Sequence, residues 1–376
     1  MREVCISEAR VVTALGDDLA ETWNALLAGS SGIVPLTRFA AEGYGSGFAA
    51  CVPGLERAGE GSLMHPLLDR LLDGIGLLPG GCRLLTASTK GGIDNLERLR
   101  RGLPADAADL PLGALPKAVA ERLGLAGGVN VSAACASSTI AVARAAAAIA
   151  SGRAEAVLVC CLDLVSEFVF SGFSALQALD PRPCRPFDRE RAGLSLGEGA
   201  AALLLTSAPC AAREGRPVLG RVRGWGVAGD AHHITAPARD GCGLVAAVRQ
   251  SLDRAGLEPD AVAAVCAHGT GTAYNDLMEL TAFDTVFGKR PVPLHSVKGA
   301  LGHTLGAAGG IEIALGLCAL NEGAAPPTLG LRRPEELGRG RVHGEPRSFG
   351  PGCLLSTNSG FGGVNAAVLL ERGGAR

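Results

Sequence analysis

Four residues of this 376-residue chain have types and surroundings suited to nucleophilic chemistry: Cys135, His268, Lys298 and His303. Cys135 closes the segment Ser132-Ala133-Ala134-Cys135, between an apolar strand ending Val129–Val131 and an Ala/Ile-rich run from Ser137 to Ala150. A sulfur there faces the amide N–H groups of a helix start and the positive end of its dipole, and both favour thiolate. His268 opens His268-Gly269-Thr270-Gly271-Thr272 after the strand Val262 to Ala267, so an imidazole stands at a strand's carboxyl end beside flexible backbone. In Lys298-Gly299-Ala300-Leu301-Gly302-His303 the lysine and second histidine bracket a glycine turn before another apolar helix, Gly310 to Leu320. A buried lysine needs a carboxylate partner, for which Asp276 or Glu279 is expected. Near the end, Thr357-Asn358-Ser359-Gly360-Phe361-Gly362-Gly363-Val364-Asn365 places a glycine loop around one aromatic ring, before a final strand Ala366 to Leu370. Its amides suit an oxyanion and its ring suits a gate.

Each feature has a plainer alternative. Cys135 alone reads more readily as a core thiol, which is how most of the other eleven cysteines read, and Phe361 has an alternative as a core anchor in a turn. One Cys with two His also raises a metal site. No CxxC or CxxH pair, second thiolate or carboxylate stands at ligand spacing, so no metal is expected. A Cys hydrolase would use one His and leave the second His and the Lys idle.

Those residues need a scaffold, and the composition supplies one. Hydrophobic residues make up 47% and charged residues 19%, enough apolar material for a core and far from a disordered composition. Glycine, 54 of 376 residues, is about twice its usual share, while aromatics reach only 4%, which implies close backbone approach and tight turns. Lys plus Arg total 35 against 37 Asp plus Glu, a formal charge of −2, so no global basic field favours nucleic acid. Unspaced cysteines, with Cys160 and Cys161 adjacent, read as reduced thiols. The N-terminus is no secretory signal, and Arg144, Arg153 and Glu312 break the longest apolar runs, so a cytoplasmic protein without a membrane span is expected.

The order strand, reactive turn, buried helix occurs twice, and helices apolar on nearly every face must lie between sheets. This gives a layered α/β architecture of two similar halves, 1–210 and 211–376, divided at an Ala/Arg/Pro-rich break from Ala208 to Pro217. The segment Gly54 to Leu115 is expected to lie over the core as a cap.

With these residues in view, the sequence resembles the β-ketoacyl-acyl-carrier-protein synthases of the thiolase superfamily, the elongating Cys-His-His type. The resemblance runs along the whole chain. It rests on Glu21 to Gly29 and Ser31-Gly32-Ile33, on Ala134-Cys135-Ala136-Ser137-Ser138, and on Arg185-Pro186-Phe187-Asp188 with Gly197-Glu198-Gly199-Ala200. His268 to Thr272 with Asp276, Lys298 with Gly302-His303, and the Gly360–Gly363 loop complete the set in family order.

The resemblance implies a thiolase-like five-layer αβαβα fold, usually dimeric, as a homodimer or a ketosynthase heterodimer, with acyl carrier protein as partner and no cofactor. It implies that Cys135 takes an acyl chain from its carrier, with the oxyanion held by the N–H groups of Cys135 and Phe361. Malonyl-acyl carrier protein would then bind with Thr270 and Thr272 near its pantetheine arm. His268 and His303 would stabilise charge as carbon dioxide leaves, and Lys298 would organise the site through Glu279, with Asp276 in support. The His-His pair, rather than His-Asn, implies elongation of a carrier-bound chain.

Some positions depart from the family pattern. Ser359 and Leu194 stand where bulky aromatics are common, Ala192 replaces a usual Asp, and the Gly54–Leu115 region is trimmed. A wider or reshaped acyl channel and a specialised polyene or polyketide-type pathway are therefore expected. Arg98, Arg100 and Arg101 are the expected basic patch for an acidic carrier. A degradative thiolase would need a second Cys in the final loop, where Gly360–Asn365 has none. A catalytically weak or scaffold subunit of a heterodimer is the alternative, against which the retention of Cys135, His268, Lys298 and His303 argues.

Overall fold

The computed structural model describes residues 2–374. Its main sheet has ten strands: β1 (Val4–Thr13), β2 (Arg83–Ala87), β3 (Gly128–Val131), β4 (Ala156–Asp163), β5 (Gly199–Ser207), β6 (Gly220–Gly229), β7 (Val262–Cys266), β8 (Leu294–His295), β9 (Cys353–Gly360) and β10 (Val364–Arg372). Their lateral order is β8-β7-β9-β10-β6-β1-β5-β4-β2-β3. One motif is thus used twice. Counted within its own half, each set runs third, second, fourth, fifth, first from the outer edge inward, and in each the fifth strand alone is antiparallel to its neighbours. The halves join where Val4–Ile6 of β1 pairs with Gly220–Val222 of β6.

Among the described residues eleven α-helices accompany the strands: α1 (Leu19–Leu27), α2 (Met64–Leu72), α3 (Asp94–Arg100), α4 (Ala114–Leu123), α5 (Ser137–Ala150), α6 (Glu167–Ala175), α7 (Ala208–Arg213), α8 (Cys242–Ala255), α9 (Ala273–Phe287), α10 (Lys298–Leu301) and α11 (Ala308–Glu322). In each half the long helix after the third strand, α5 or α11, is buried on almost every turn, which is why both are rich in Ala and Ile rather than amphipathic. Ala141, Val142 and Ile149 of α5 and Ile311, Ala314 and Leu315 of α11 share one core with Ile6, Val159, Leu203, Leu354 and Val368. Outside the first half, Leu67, Leu71 and Val119 of α2 and α4 cover Leu158 and Leu204. Outside the second, Leu244, Val248 and Phe283 of α8 and α9 cover Val265, Leu355 and Leu369. Adjacent residues such as Leu354 and Leu355 enter opposite cores, so the strands read as continuous apolar runs. The five expected layers are present.

Glycine permits the closest contact between the halves. A Cβ on Gly309 would lie 1.9 Å from Thr139 Oγ1 and 2.5 Å from Asn358 Oδ1, and one on Gly310 would lie 2.4 Å from Cys161 Sγ. Any side chain there would separate the first turns of α5 and α11, and with them the two reactive turns.

One sequence expectation is corrected. The region Gly54 to Leu115 is not a cap: it supplies α2, packed on the sheet, and β2, a strand inside it. Five residues, Arg83–Ala87, are too short to show a strand period, which hid β2. The stretch Leu305–Glu322 is long and apolar enough by composition to cross a membrane, yet 83% of it is buried inside the fold, which accounts for its character.

Candidate active site

All of the reactive turns lie at the carboxyl ends of strands. Cys135 sits between β3 and α5, and Lys298 and His303 occupy the equivalent connection between β8 and α11. His268 follows β7, and Asn358 to Gly360 end β9. The backbone is forced at both reactive turns: Ala134, just before the cysteine, has φ 48°, and Leu305, just after the second histidine, has φ 53°. Such left-handed conformations in residues with a Cβ persist only where the surroundings over-determine them.

The geometry brings the three reactive groups together. His303 Nε2 lies 2.9 Å from Cys135 Sγ. The imidazole of His268 stands edge-on to that of His303, centroids 5.1 Å apart, and the sulfur and one ring nitrogen of each histidine lie within 4.8 Å of one another. His303 is held through its backbone, its N–H donating to Ser195 (2.7 Å) and its carbonyl accepting from Gly197 (3.0 Å), whereas its Nδ1 is buried without a partner. His268 is held by Asn358, whose Nδ2 donates to its Nδ1 at 3.1 Å. That bond assigns the ring proton to Nε2 and makes His268 a donor into the site. Asn358 also donates to Glu312 (2.8 Å) and accepts from the Thr139 hydroxyl in α5.

Lys298 is fully buried, donating to the carbonyl of His268 at 2.6 Å and to the carboxylate of Glu312. This corrects the expected partner. Glu279 instead accepts the backbone N–H groups of His268 (2.7 Å) and Gly269 (2.6 Å), and Asp276 accepts those of Phe187 (2.7 Å), Thr270 (3.0 Å) and Gly271 (3.2 Å). Both carboxylates shape the loop that carries His268 and do not pair with the lysine. Glu312 lies inside the apolar run of α11, where sequence reading saw only a charge that interrupts it.

Burial governs the protonation states. It pushes the Cys135 thiol up to about 12, against the opposing pull of Lys298. The resting site therefore holds a thiol, not the thiolate expected from a helix start. Both imidazoles are driven well below the usual range by burial and then by Lys298, so both are neutral at neutral pH. Burial, then the charge of Asp276, raises Glu279 to about 8.

Above the sulfur opens a cavity of about 410 Å³. Its lining includes Cys135, His268, His303, Thr270, Thr272, Leu194, Ser359 and Phe361, all singled out from sequence. The Phe361 ring, 40% exposed, stacks on Phe173 of α6 at 5.9 Å. Gly360 passes directly beside the nucleophile, where a Cβ would stand 3.1 Å from the Cys135 amide nitrogen. Ser359 bonds to Asn365, and Asn365 to Asp230, tying the glycine loop to the segment after β6. Asn358, Asn365 and Asp230 were not assigned roles from sequence, because a lone amide or carboxylate gives no signal until a partner faces it. Arg98, Arg100 and Arg101 do not line the cavity, and Arg101 pairs with Glu167.

Residues 106–211 match the β-ketoacyl synthase N-terminal domain and residues 219–332 the β-ketoacyl synthase C-terminal domain. The chain belongs to the β-ketoacyl synthase family. As a β-ketoacyl synthase it is an acyltransferase that condenses acyl units. Among its relatives, 3-oxoacyl-[acyl-carrier-protein] synthase 2 of Coxiella burnetii (strain RSA 493 / Nine Mile phase I) is 29% identical, covering 99% of each chain. The ishigamide ketosynthase/chain length factor is a similar structure, with TM-score 0.91 and 31% identity over 99% of this chain and 100% of that one. A type II polyketide acyl-carrier protein in complex with its ketosynthase bound to the hexaketide gives TM-score 0.88 and 25% identity, over 99% of both chains.

Proposed function

We propose that this β-ketoacyl synthase performs decarboxylative Claisen condensation of a Cys135-bound acyl chain with malonyl-acyl carrier protein, giving 3-oxoacyl-acyl carrier protein in fatty-acid or polyketide elongation. The observation that carries the reading is a sulfur 2.9 Å from one neutral imidazole and beside a second, at the floor of a single cavity. In the first stage the Cys135 sulfur attacks the carrier thioester while His303 Nε2 receives its proton, which then passes to the departing pantetheine thiol. The tetrahedral oxyanion takes the N–H groups of Cys135 and Phe361.

In the second stage malonyl binds with its arm along Thr270 and Thr272. Carbon dioxide leaves, and the electron pair of the broken bond becomes an enolate whose oxygen is held by His268 Nε2–H and His303 Nε2–H. The carbanion attacks the acyl-Cys135 carbonyl, the C–S bond breaks, and the departing thiolate takes a proton from solvent to restore the resting thiol. Neutral imidazoles suit this step, since each can donate without surrendering its proton. With no fixed partner on Nδ1, His303 can change tautomer between the stages: it carries Nδ1–H while Nε2 relays the thiol proton to pantetheine, and Nε2–H, after a solvent proton binds Nε2 and the Nδ1 proton leaves to solvent, when it donates to the enolate. Phe361 is the gate, and Leu194 and Ser359 leave a channel shaped for a specialised acyl chain.

Twelve cysteines without a disulfide fit a reducing cytoplasm. We place the enzyme in a dimer, with a second copy or a chain-length-factor-like subunit, on the strength of its likeness to a ketosynthase/chain length factor and of the edge strand β3, where Val129 is 56% exposed. Intact-mass analysis after incubation with a panel of acyl-carrier proteins tests the reaction. The acyl mass should appear on wild type and not on Cys135→Ala, and malonyl-acyl carrier protein should discharge it as 3-oxoacyl product. An adduct that persists on Cys135→Ala would overturn the reading.

A further inference from the structure

We infer that Asp163 is a positioning residue for His303, the counterpart in the N-terminal half of what Asn358 is for His268. The inference rests on the proposed roles of Cys135 and His303 and adds to them a residue that touches neither. Strand register makes the two residues equivalent. In the first half β4 places Cys161 beside Ala87, the last residue of β2, and Asp163 follows two residues later. In the second half β9 places Ser356 beside Cys266, the last residue of β7, and Asn358 follows two residues later.

Their bonds are equivalent as well. Asn358 ties the loop after the second strand of its own half, through His268, to the first turn of the other half's buried helix, through Thr139. Asp163 ties the loop after β2 to the turn that opens α11. It accepts from Ser88 Oγ (2.7 Å), Thr89 N (3.0 Å), Thr89 Oγ1 (2.9 Å) and Lys90 N (3.2 Å), and across the interface from Gly306 N (2.7 Å). Gly306 stands three residues after His303 and fits only as glycine, since a Cβ would lie 2.8 Å from Asp163 Oδ2.

The clamp matters because the ring has no side-chain partner behind it. A catalytic imidazole is ordinarily oriented by a partner on its second nitrogen, and His303 Nδ1 has none. The ring position is therefore set by the backbone on either side: Ser195 and Gly197 before it, and after it the strained turn through Leu305, pinned at Gly306. Five donors, three of them backbone N–H groups, favour the anionic form of Asp163 against its burial, which raises the carboxyl. That charge also opposes formation of a thiolate at Cys135.

Position and charge can be separated with two variants. Asp163→Asn loses both, whereas Gly306→Ala disturbs the clamp and keeps the charge. In condensation assays both should lower kcat by about ten- to hundredfold with the KM for carrier within about twofold, as expected for sub-ångström misplacement of a reacting group. In iodoacetamide alkylation of Cys135 at pH 8, Asp163→Asn should react several-fold faster than wild type and Gly306→Ala at the wild-type rate. Thermal melts confirm that each variant is folded, and should one fail to fold, the other still tests the clamp. A folded Gly306→Ala with wild-type kcat would overturn the clamp, and unchanged alkylation of Asp163→Asn would overturn the charge. Wild type that forms no 3-oxoacyl product would sink the proposed function instead, while the alkylation comparison would still be readable.

Discussion

At the scale of single residues, the site works by keeping ionisable groups neutral until substrate needs them. A buried thiol raised to about 12 beside two neutral imidazoles is chemically quiet. Lys298 forms an ion pair here with Glu312, in a pair exposed by just 1% on either side. Removing one member of such a pair leaves an uncompensated buried charge, at about 3–5 kcal/mol. Glu312→Gln should therefore lose about that much in urea unfolding, and Glu312→Gln with Lys298→Met should recover part of it. Glu279→Gln should cost less, about 1–3 kcal/mol, because it disturbs hydrogen bonds to backbone and not a charge. Equal losses for the two single variants would contradict the assignment of Glu312 as the lysine's partner.

At the scale of elements, the site depends on how closely two buried helices cross. The first turns of α5 and α11 meet over glycine, and Asn358 spans the gap to Thr139 and Glu312. Gly309→Ala should push the helices apart and break that bridge, lowering stability by about 1–3 kcal/mol, as overpacking does, and reducing condensation together with it. Gly316→Ala serves as the comparison. It lies further along α11 and would meet only the flexible ends of Leu354 (3.1 Å) and Leu370 (3.3 Å), so a smaller loss is expected. Melting temperatures of the two variants check the order, and a more damaging Gly316→Ala would count against the crossing as the critical contact.

Considered as a whole, the molecule has its nucleophile in one half and both histidines, the lysine and the glycine loop in the other. The central core belongs to both: Ile149 and Leu203 from one half pack in the same cluster as Leu315 and Val368 from the other. Neither half can bury that face alone. Residues 1–210 expressed alone should bind hydrophobic dyes and show no cooperative melt, and co-expression with 211–376 should restore a folded complex in which Cys135 is acylated. A cooperative melt of 1–210 by itself would show that the halves are independent domains and that their contact is secondary.

The sequence by itself determined a good deal. Cys135, His268, Lys298 and His303 stand at strand-to-helix turns whose apolar flanks are local features, and the doubled strand-turn-helix pattern with two helices apolar all round already required a layered fold. Tertiary structure decided the pairings. Glu312 and not Glu279 neutralises Lys298, Asn358 orients His268, and Asp163 pins the turn after His303, because each contact joins residues far apart in the chain whose meeting depends on strand register and helix crossing. Burial, likewise, is a property of the assembled layers, and it reversed the protonation state that a helix start alone suggested for Cys135.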